Sequence, residues 1–538
     1  MFSLVLFPTP LRARVYARHM ASVDVAVIGA GVVGCAVARH LVAAGYSVVL
    51  LEAMSQPLCG ASRGNSAMVH CGFDCTPGTL ESVFVTRGHK LFRDFASACA
   101  TRKVVLPWRP SGAIMLAMRP SDLTAITDSI LPKARLNGVG SCRLLATRDA
   151  VVALEPNVSG NVVGGLHVPE EWSVDPFVLP MLWLAQACRL GATDSEDEKG
   201  RDMSVAFPQR KFQLRFQANV VGAERIDDSA GSGWRLTIRS RSSASDIDVD
   251  DAGERLFRSL SASSADRGAA TVIAGSPSVR GDSSLQSTVR ARLVINCAGL
   301  HGDKVDALLG AQGEQRGPAV VSGNVVDLAT FRVVPRLGRF IAFDTAHSSL
   351  IRSHALLPLP TPKTKGIIVF KTVHGAVVSG PTAEDPDDVR PPQREIRSLL
   401  QQVAVEKVPK LASASIAWEY AGSRPATRTS SDYVLSQGLV VAAGCHAAAA
   451  TARADATGWM TVAGVRSTGL TAAAALAESV AKAAGVFFAA TPRMAVADLA
   501  SNPVAGLPVD FDVLGAMPSD IRGRSAHPIS AHAAVAKL

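Results

Sequence analysis

At 538 residues, 48% hydrophobic and 19% charged, the chain is longer than one hydrophobic core fills and has the composition of a globular protein, so two joined domains are expected. The net charge is +9, but the basic residues are scattered and form no stripe interleaved with aromatics, which argues against nucleic acid as a partner. No apolar run reaches the ~18 residues of a membrane span; the nearest, from Thr471, carries Glu478 and Lys482 and reads as a buried helix.

Residues 1–22 contain Arg12, Arg14 and Arg18, with no acidic residue before Asp24. Such a segment looks like an organellar transit peptide and predicts a mitochondrial address. The chain finishes Ala536, Lys537, Leu538, close to the tripeptide read by the peroxisomal import receptor, which makes a peroxisome-type organelle the alternative.

From Val23 to Glu52 the pattern is strand, glycine turn, helix, strand. Val25 to Ile28 is a short apolar run suited to a buried parallel strand, and apolar residues at helical spacing follow Gly31. Gly29, Gly31 and Gly34 form GxGxxG, which provides a tight turn, close backbone approach to a pyrophosphate and close helix–sheet packing. The amides at the helix N-terminus would face the phosphates. Glu52 closes the second strand, where a carboxylate can accept hydrogen bonds from a ribose. These residues alone do not separate NAD from FAD.

The next stretch, ASRGNSAMVHCGF from Ala61 to Phe73, places a small-residue turn, an amide and His70 directly after the nucleotide unit. His70 either packs in the core or faces a cofactor. Further on, residues 193–202 and 240–284 are rich in Ser, Asp, Gly and Arg without apolar periodicity, and are expected to be solvated insertions. WRLTI from Trp234 predicts a strand, and ARLVINCAGLHGDKV from Ala291 a strand ending in small residues. There a side chain larger than Ala298 or Gly299 would crowd a dinucleotide lying over the carboxyl edge of the sheet. The blocks 100–185 and 331–440 hold alternating runs such as GAIMLAM and GAVVSG with few long helical patterns, which suggests an antiparallel sheet. The nine cysteines are odd in number and include no CxxC pair, which argues against a disulfide framework and against a metal site.

Taken in order, the GxGxxG and Glu52, the stretch 60–88, VINCAGLHGDKV, KTVHGAVVSGPTAED (371–385), YAGSRPA (420–426) and VAGVRSTGLTAAAALA (462–477) together resemble the FAD-dependent glycerol-3-phosphate dehydrogenases and oxidases of the D-amino-acid-oxidase superfamily. The resemblance spans roughly residues 23–485 apart from the insertions. It implies an α/β fold in which an FAD-binding Rossmann-like domain is joined to a second, antiparallel-sheet substrate domain. The FAD domain would comprise 23–99, 186–330 (with the insertion 241–284) and 441–486; the substrate domain, 100–185 and 331–440; and the tail, 487–538.

Position by position, the resemblance assigns Gly29, Gly31, Gly34 and Glu52 to the ADP site. Ala61, Ser62, Asn65 and Ser66 fall in the turn beside pyrophosphate and flavin, and Ala298 and Gly299 form a second FAD contact. Gly464, Gly469, Leu470 and Thr471 open the helix pointing at the flavin, where backbone amides would stabilise negative charge. His70 is implied as the base taking the substrate hydroxyl proton, a task suited to a neutral imidazole. Arg424 is implied as an anion anchor, with Lys371 and His374 as further substrate contacts.

Two departures bear on the substrate. Many glycerol-3-phosphate enzymes continue the histidine motif as HGGxRYL; here it reads HCGFDCTPGTL, so that arginine is absent. The PGTL continuation also occurs in flavoenzymes that oxidise L-2-hydroxyglutarate. No cysteine follows Cys445, so the tail cannot hold the cysteine-rich iron–sulfur extension of some relatives. The expected activity is oxidation of sn-glycerol 3-phosphate, with electrons passing to quinone or oxygen, without a transmembrane segment and with peripheral membrane contact allowed. A 2-hydroxy-acid dehydrogenase, an amine oxidase of the superfamily and a non-catalytic flavoprotein are the alternatives.

Overall fold

The computed structural model describes residues 22–191, 211–229, 231–241, 284–310, 318–321, 324–327, 331–361, 365–386, 391–427, 430, 432–436, 439–440, 458–488, 497–507 and 509. The N-terminal segment, the stretch 193–202, most of 240–284 and the C-terminal tripeptide lie outside them.

The strand Ser22–Ile28, buried after its first residue, is the centre of the first sheet. It runs parallel to Val48–Leu51 on one side and to Ser284–Asn296 on the other. Phe212–Arg215 and Trp459–Ala463 extend the parallel set outward. Beyond Trp459–Ala463 the sheet continues antiparallel through Val434–Ser436, Pro318–Val321 and Asn324–Asp327. Such strands are buried on both faces and therefore read as continuous apolar runs. Val25 and Val27 face a layer containing the helices Val32–Ala43, Leu80–Thr101, Val178–Leu190 and Gly469–Phe487. Ala26 and Ile28 face the opposite way, toward Trp234, Leu236 and Val305.

Among the described residues the second sheet has eight strands, in the order Ile416–Thr427, Val333–Phe343, Val377–Gly380, Ile368–Lys371, Ala355–Leu357, Ala113–Ala117, Gly164–Val168, Arg143–Leu145. Its neighbours are antiparallel except for one parallel pair, Ala355–Leu357 with Ala113–Ala117. A small antiparallel sheet joins the two halves, with Trp172–Val174 pairing both Met68–Val69 and Trp108–Arg109. The α/β fold with a second sheet domain is thus as expected, and the chain crosses between the halves several times.

Four details differ from the sequence reading. The helix Val178–Leu190, which begins inside the block 100–185 and runs past its end, packs on Val32–Ala43 in the nucleotide half; VLPMLWLAQACRL is apolar all round, so its sequence has no polar face to give it away. Val434–Ser436 belongs to the first sheet, not the second. The block 331–440 contains a 15-residue amphipathic helix, Gln393–Lys407, which buries Ile396, Leu400 and Ala404 against the second sheet. Finally, Arg241 and Ser284, within the span read as insertion, are the last paired positions of two antiparallel strands. The strands on either side of residues 242–283 therefore pair with each other.

Candidate active site

The glycine turn is built as its spacing dictates. Gly29 has φ +100°, and a Cβ there would stand 2.7 Å from the Cys297 carbonyl. A Cβ on Gly34 would stand 1.9 Å from the Gly29 carbonyl, so only glycine lets helix and strand approach this closely. One oxygen of Glu52 accepts the Ala30 N–H at 2.8 Å, and the other accepts that of Met54 at 2.9 Å. Burial, outweighing these amides, raises the Glu52 pKa above the usual carboxylate range. Ser62 turns its hydroxyl to the helix N-terminus and accepts the Val32 N–H at 3.0 Å. Asn65 shapes the turn itself, donating to the Ser62 carbonyl at 2.8 Å and accepting from Ala67 N–H at 2.6 Å.

These groups line one cavity of about 430 Å³. Its wall includes Gly29, Gly31, Glu52, Ala61, Ser62, Asn65 and Ser66, together with Ala298 and Gly299 and, from the far end of the chain, Gly464, Gly469 and Leu470. Gly34 supports this wall from behind. The turn at Ala298 rests on a buried polar cluster. Asn296 accepts the Ala298 N–H at 3.1 Å and donates to Asp306 at 2.7 Å, and Thr461 and Trp459 also donate to that carboxylate. The two halves meet at Gly64 and Gly422, where a Cβ on Gly64 would lie 2.3 Å from the Gly422 Cα. Phe340 and Tyr420 stack nearby at 4.4 Å.

His70 lies at the junction of the halves. Its backbone N–H donates to the Thr471 hydroxyl at 2.9 Å, tying it to the first turn of the helix that closes the cavity. That helix can come close because Gly88 faces it; a Cβ on Gly88 would stand 2.1 Å from the Thr471 carbonyl. His70 Nδ1 is 2.9 Å from Glu171 Oε2, while Glu171 Oε1 accepts the Cys71 N–H at 2.8 Å. A buried carboxylate at this distance fixes the proton on Nδ1 and leaves Nε2 as the acceptor. Burial pushes the imidazole pKa down, but the Glu171 charge and hydrogen bond override it, and the net shift is upward. Neither His70 nor Thr471 is part of the wall of the 430 Å³ cavity; Thr471 follows Leu470, which is.

The three substrate candidates are placed differently. Arg424 lines the cavity and donates to the Thr382 carbonyl at 2.8 Å. Burial, reinforced by the like charges of Arg336 and Arg466, lowers its pKa to about 10. Arg466 lines the same cavity, and Arg336 pairs with Asp385 at 2.9 Å. His374 is held by Asp175, Nε2 to Oδ2 at 2.7 Å, while Asp175 Oδ1 accepts the Phe177 and Val178 amides and caps the helix that follows. Lys371 is a correction: its ammonium donates to the carbonyls of Ile351 at 2.7 Å and Arg352 at 2.8 Å, so it ties the chain together instead of facing the cavity.

Glu171 and Asp175 were missed by the sequence reading. Both flank the strand Trp172–Val174, and each orients a histidine brought from elsewhere. The available signal was two carboxylates four residues apart around an apolar strand, a position where unpaired acids are costly.

A family model described as FAD dependent oxidoreductase matches residues 24–228 and 252–483. The chain belongs to that family. It is 23% identical over 455 residues to a glycerol 3-phosphate dehydrogenase of Caloramator mitchellensis, an alignment covering 84% of this chain and 72% of that one. It is 33% identical over 153 residues to a mitochondrial L-2-hydroxyglutarate dehydrogenase of Arabidopsis thaliana, covering 28% of this chain and 30% of that one. In fold it is similar to L-α-glycerophosphate oxidase of Mycoplasma pneumoniae with FAD bound, with a TM-score of 0.59, 20% identity, and 87% and 95% of the two chains covered. Glycine oxidase of Geobacillus kaustophilus gives a TM-score of 0.58 at 16% identity over 90% and 98%.

FAD is the cofactor of this FAD-dependent oxidoreductase, and the residues present suit it. Neither the helix from Val32 nor that from Gly469 carries an acidic residue in its first turn, so both N-termini can meet anionic groups. The Gly29 and Gly31 backbone, Glu52 and Ala298 would hold the ADP portion, and Gly469 and Leu470 would supply amides to the flavin. When bound, the flavin accepts hydride.

Proposed function

We propose that the chain oxidises a small anionic secondary alcohol, sn-glycerol 3-phosphate to dihydroxyacetone phosphate, and passes the electrons to quinone or oxygen. Two observations support this reading: an oriented base, His70 held by Glu171, and a separate cationic wall, Arg424 and Arg466 on the nucleotide cavity. His70 Nε2 takes the hydroxyl proton, and Glu171 stabilises the imidazolium that forms. Arg424 presents its guanidinium to the phosphate, a geometry that suits a forked donor. His374, oriented by Asp175, is a further polar contact for the substrate. The long alignment with the Caloramator enzyme favours the phosphate ester, whereas the shorter, more identical match to the Arabidopsis enzyme supports L-2-hydroxyglutarate as the second reading.

Anaerobic flavin bleaching by sn-glycerol 3-phosphate, L-2-hydroxyglutarate, sarcosine and glycine decides between them. The first should bleach the protein, and Arg424→Ala should raise its KM by about tenfold, the loss of roughly 1.5 kcal/mol expected for one charged hydrogen bond. Bleaching by L-2-hydroxyglutarate alone would transfer the assignment to the second reading. We further propose that residues 1–22 direct mitochondrial import, with the C-terminal Ala-Lys-Leu as the competing address; fusing each to a fluorescent reporter separates them.

A further inference from the structure

A second cavity, of about 470 Å³, lies on the helical side of the first sheet. It runs between the helices Val32–Ala43, Leu80–Thr101 and Gly469–Phe487, with Ala497 and Pro503 among the residues of its rim. Leu470 and Thr471 also line it, and Leu470 lines the nucleotide cavity as well. The two cavities therefore share one lining residue.

The interior is apolar and aromatic. Phe92, Phe95 and Trp183 line it, with the last two rings 6.4 Å apart and edge-on. Arg39 and His40 are among the polar groups of this wall. Arg39 is 4% exposed and lies over the Phe95 ring at 5.3 Å. Its Nε donates to Gln186 at 2.7 Å and its Nη2 to the Pro503 carbonyl. No carboxylate pairs with it among the described residues, although a buried cation needs acceptors for all its N–H groups. Beside it, His40 gives Nδ1 to the Ala36 carbonyl at 2.8 Å, leaving Nε2 as an acceptor. Burial, aided by Arg39, pushes the His40 pKa down to about 3, so this imidazole is neutral.

The cavity thus offers a donor and an acceptor side by side on an aromatic surface. The charges lining it balance: Arg39, Arg87 and Lys482 against Asp94, Glu478 and Asp498. Arg87 and Lys482 both reach Glu478, at 2.9 and 3.5 Å. An entrance neutralised in this way does not recruit anions, which sets this cavity apart from the arginine-lined one.

We propose that this second cavity binds a quinone. A flat ring stacks on the aromatic wall, one carbonyl oxygen accepts from Arg39, and in the quinol form a hydroxyl donates to His40 Nε2. The redox balance is closed. Oxidising a secondary alcohol to a ketone releases two electrons and two protons, and a quinone takes up both as its two carbonyls become hydroxyls. The inference rests on the reading of the chain as an alcohol dehydrogenase, of which it names the electron acceptor and its place.

The test is equilibrium binding of decylubiquinone to the FAD-loaded protein, followed by quenching of tryptophan emission. The wild type should bind saturably. Ala481→Phe, which fills the cavity from a half-buried position, should raise Kd at least tenfold, as should His40→Leu. Neither change should alter anaerobic bleaching by substrate. Equal Kd in all three proteins, or displacement of the quinone by octanoate at a lower concentration than its own Kd, would overturn the proposal, the second result in favour of an anion site. A protein that binds decylubiquinone but bleaches with no alcohol refutes the substrate reading alone; one that bleaches but binds no quinone refutes this proposal alone.

Discussion

On the proposed reading, the nucleotide site and the substrate site recognise their ligands by different means. The first works with backbone: glycines that allow close approach, amides at two helix N-termini, and a single carboxylate that orders the turn. The proposed substrate site would work with side chains, each held by a partner from another segment: His70 by Glu171, His374 by Asp175, Arg424 by the Thr382 carbonyl. A backbone site fails through steric contact, and a side-chain site fails through lost charge or orientation. The predicted effects of substitution therefore differ in kind as well as in size.

The largest effect belongs to the backbone half. Gly34→Val should abolish FAD retention, because even the Cβ would lie 1.9 Å from the Gly29 carbonyl and neither helix nor strand can yield. Gly140→Ala, where nothing lies within 4 Å, is the control and should keep full flavin absorbance. Flavin content after gel filtration distinguishes the two, and a Gly34→Val protein with normal flavin would refute the backbone account.

At the proposed substrate site the expected pattern is intact flavin with lost chemistry. His70→Asn should slow anaerobic flavin reduction by roughly 10²- to 10⁴-fold, the range for removing a general base. Normal reduction in a flavin-replete variant would make His70 a packing residue.

Glu171→Gln sharpens the comparison because it keeps a hydrogen-bond acceptor while removing the charge. The Glu171 charge is what raises the His70 pKa against the effect of burial. In the wild type the rate should fall as the pH drops through this raised pKa, since protonated Nε2 cannot accept a proton. Without the charge, burial prevails, and the fall-off should move to lower pH. A purely structural role for Glu171 would lower the rate at every pH without moving the profile.

The smallest effect is expected outside both sites. Replacing residues 242–283 with a short hairpin turn should leave flavin content and turnover nearly unchanged, because Arg241 and Ser284 already stand opposite one another. Long connections add little closure cost. A large loss of either property would show that the segment contributes to the site.

What could be read from the sequence follows from distance along the chain. The glycine turn, its two strands and Glu52 lie within 30 residues of one another, so spacing alone carries their geometry; the Glu52–Ala30 hydrogen bond spans 22 positions. The insertion was legible as polar and aperiodic, but its true ends were not, because strand pairing at Arg241 and Ser284 leaves no trace in composition. The resemblance supplied His70 and Arg424 as residues, without their partners.

The chain by itself therefore determined the cofactor unit, the two-domain α/β plan and the histidine worth testing. Tertiary structure decided what that histidine is bonded to. His70 meets Glu171 across 101 positions and Thr471 across 401, and His374 meets Asp175 across 199. It also decided that Lys371 is occupied by backbone carbonyls, and that two helices cross at Gly88 closely enough to set Thr471 against the His70 amide. Local spacing fixes backbone shape because the constraint is steric and short-ranged. The choice of a partner for a polar side chain is made only when the sheets close and each buried charge must find a group to satisfy it.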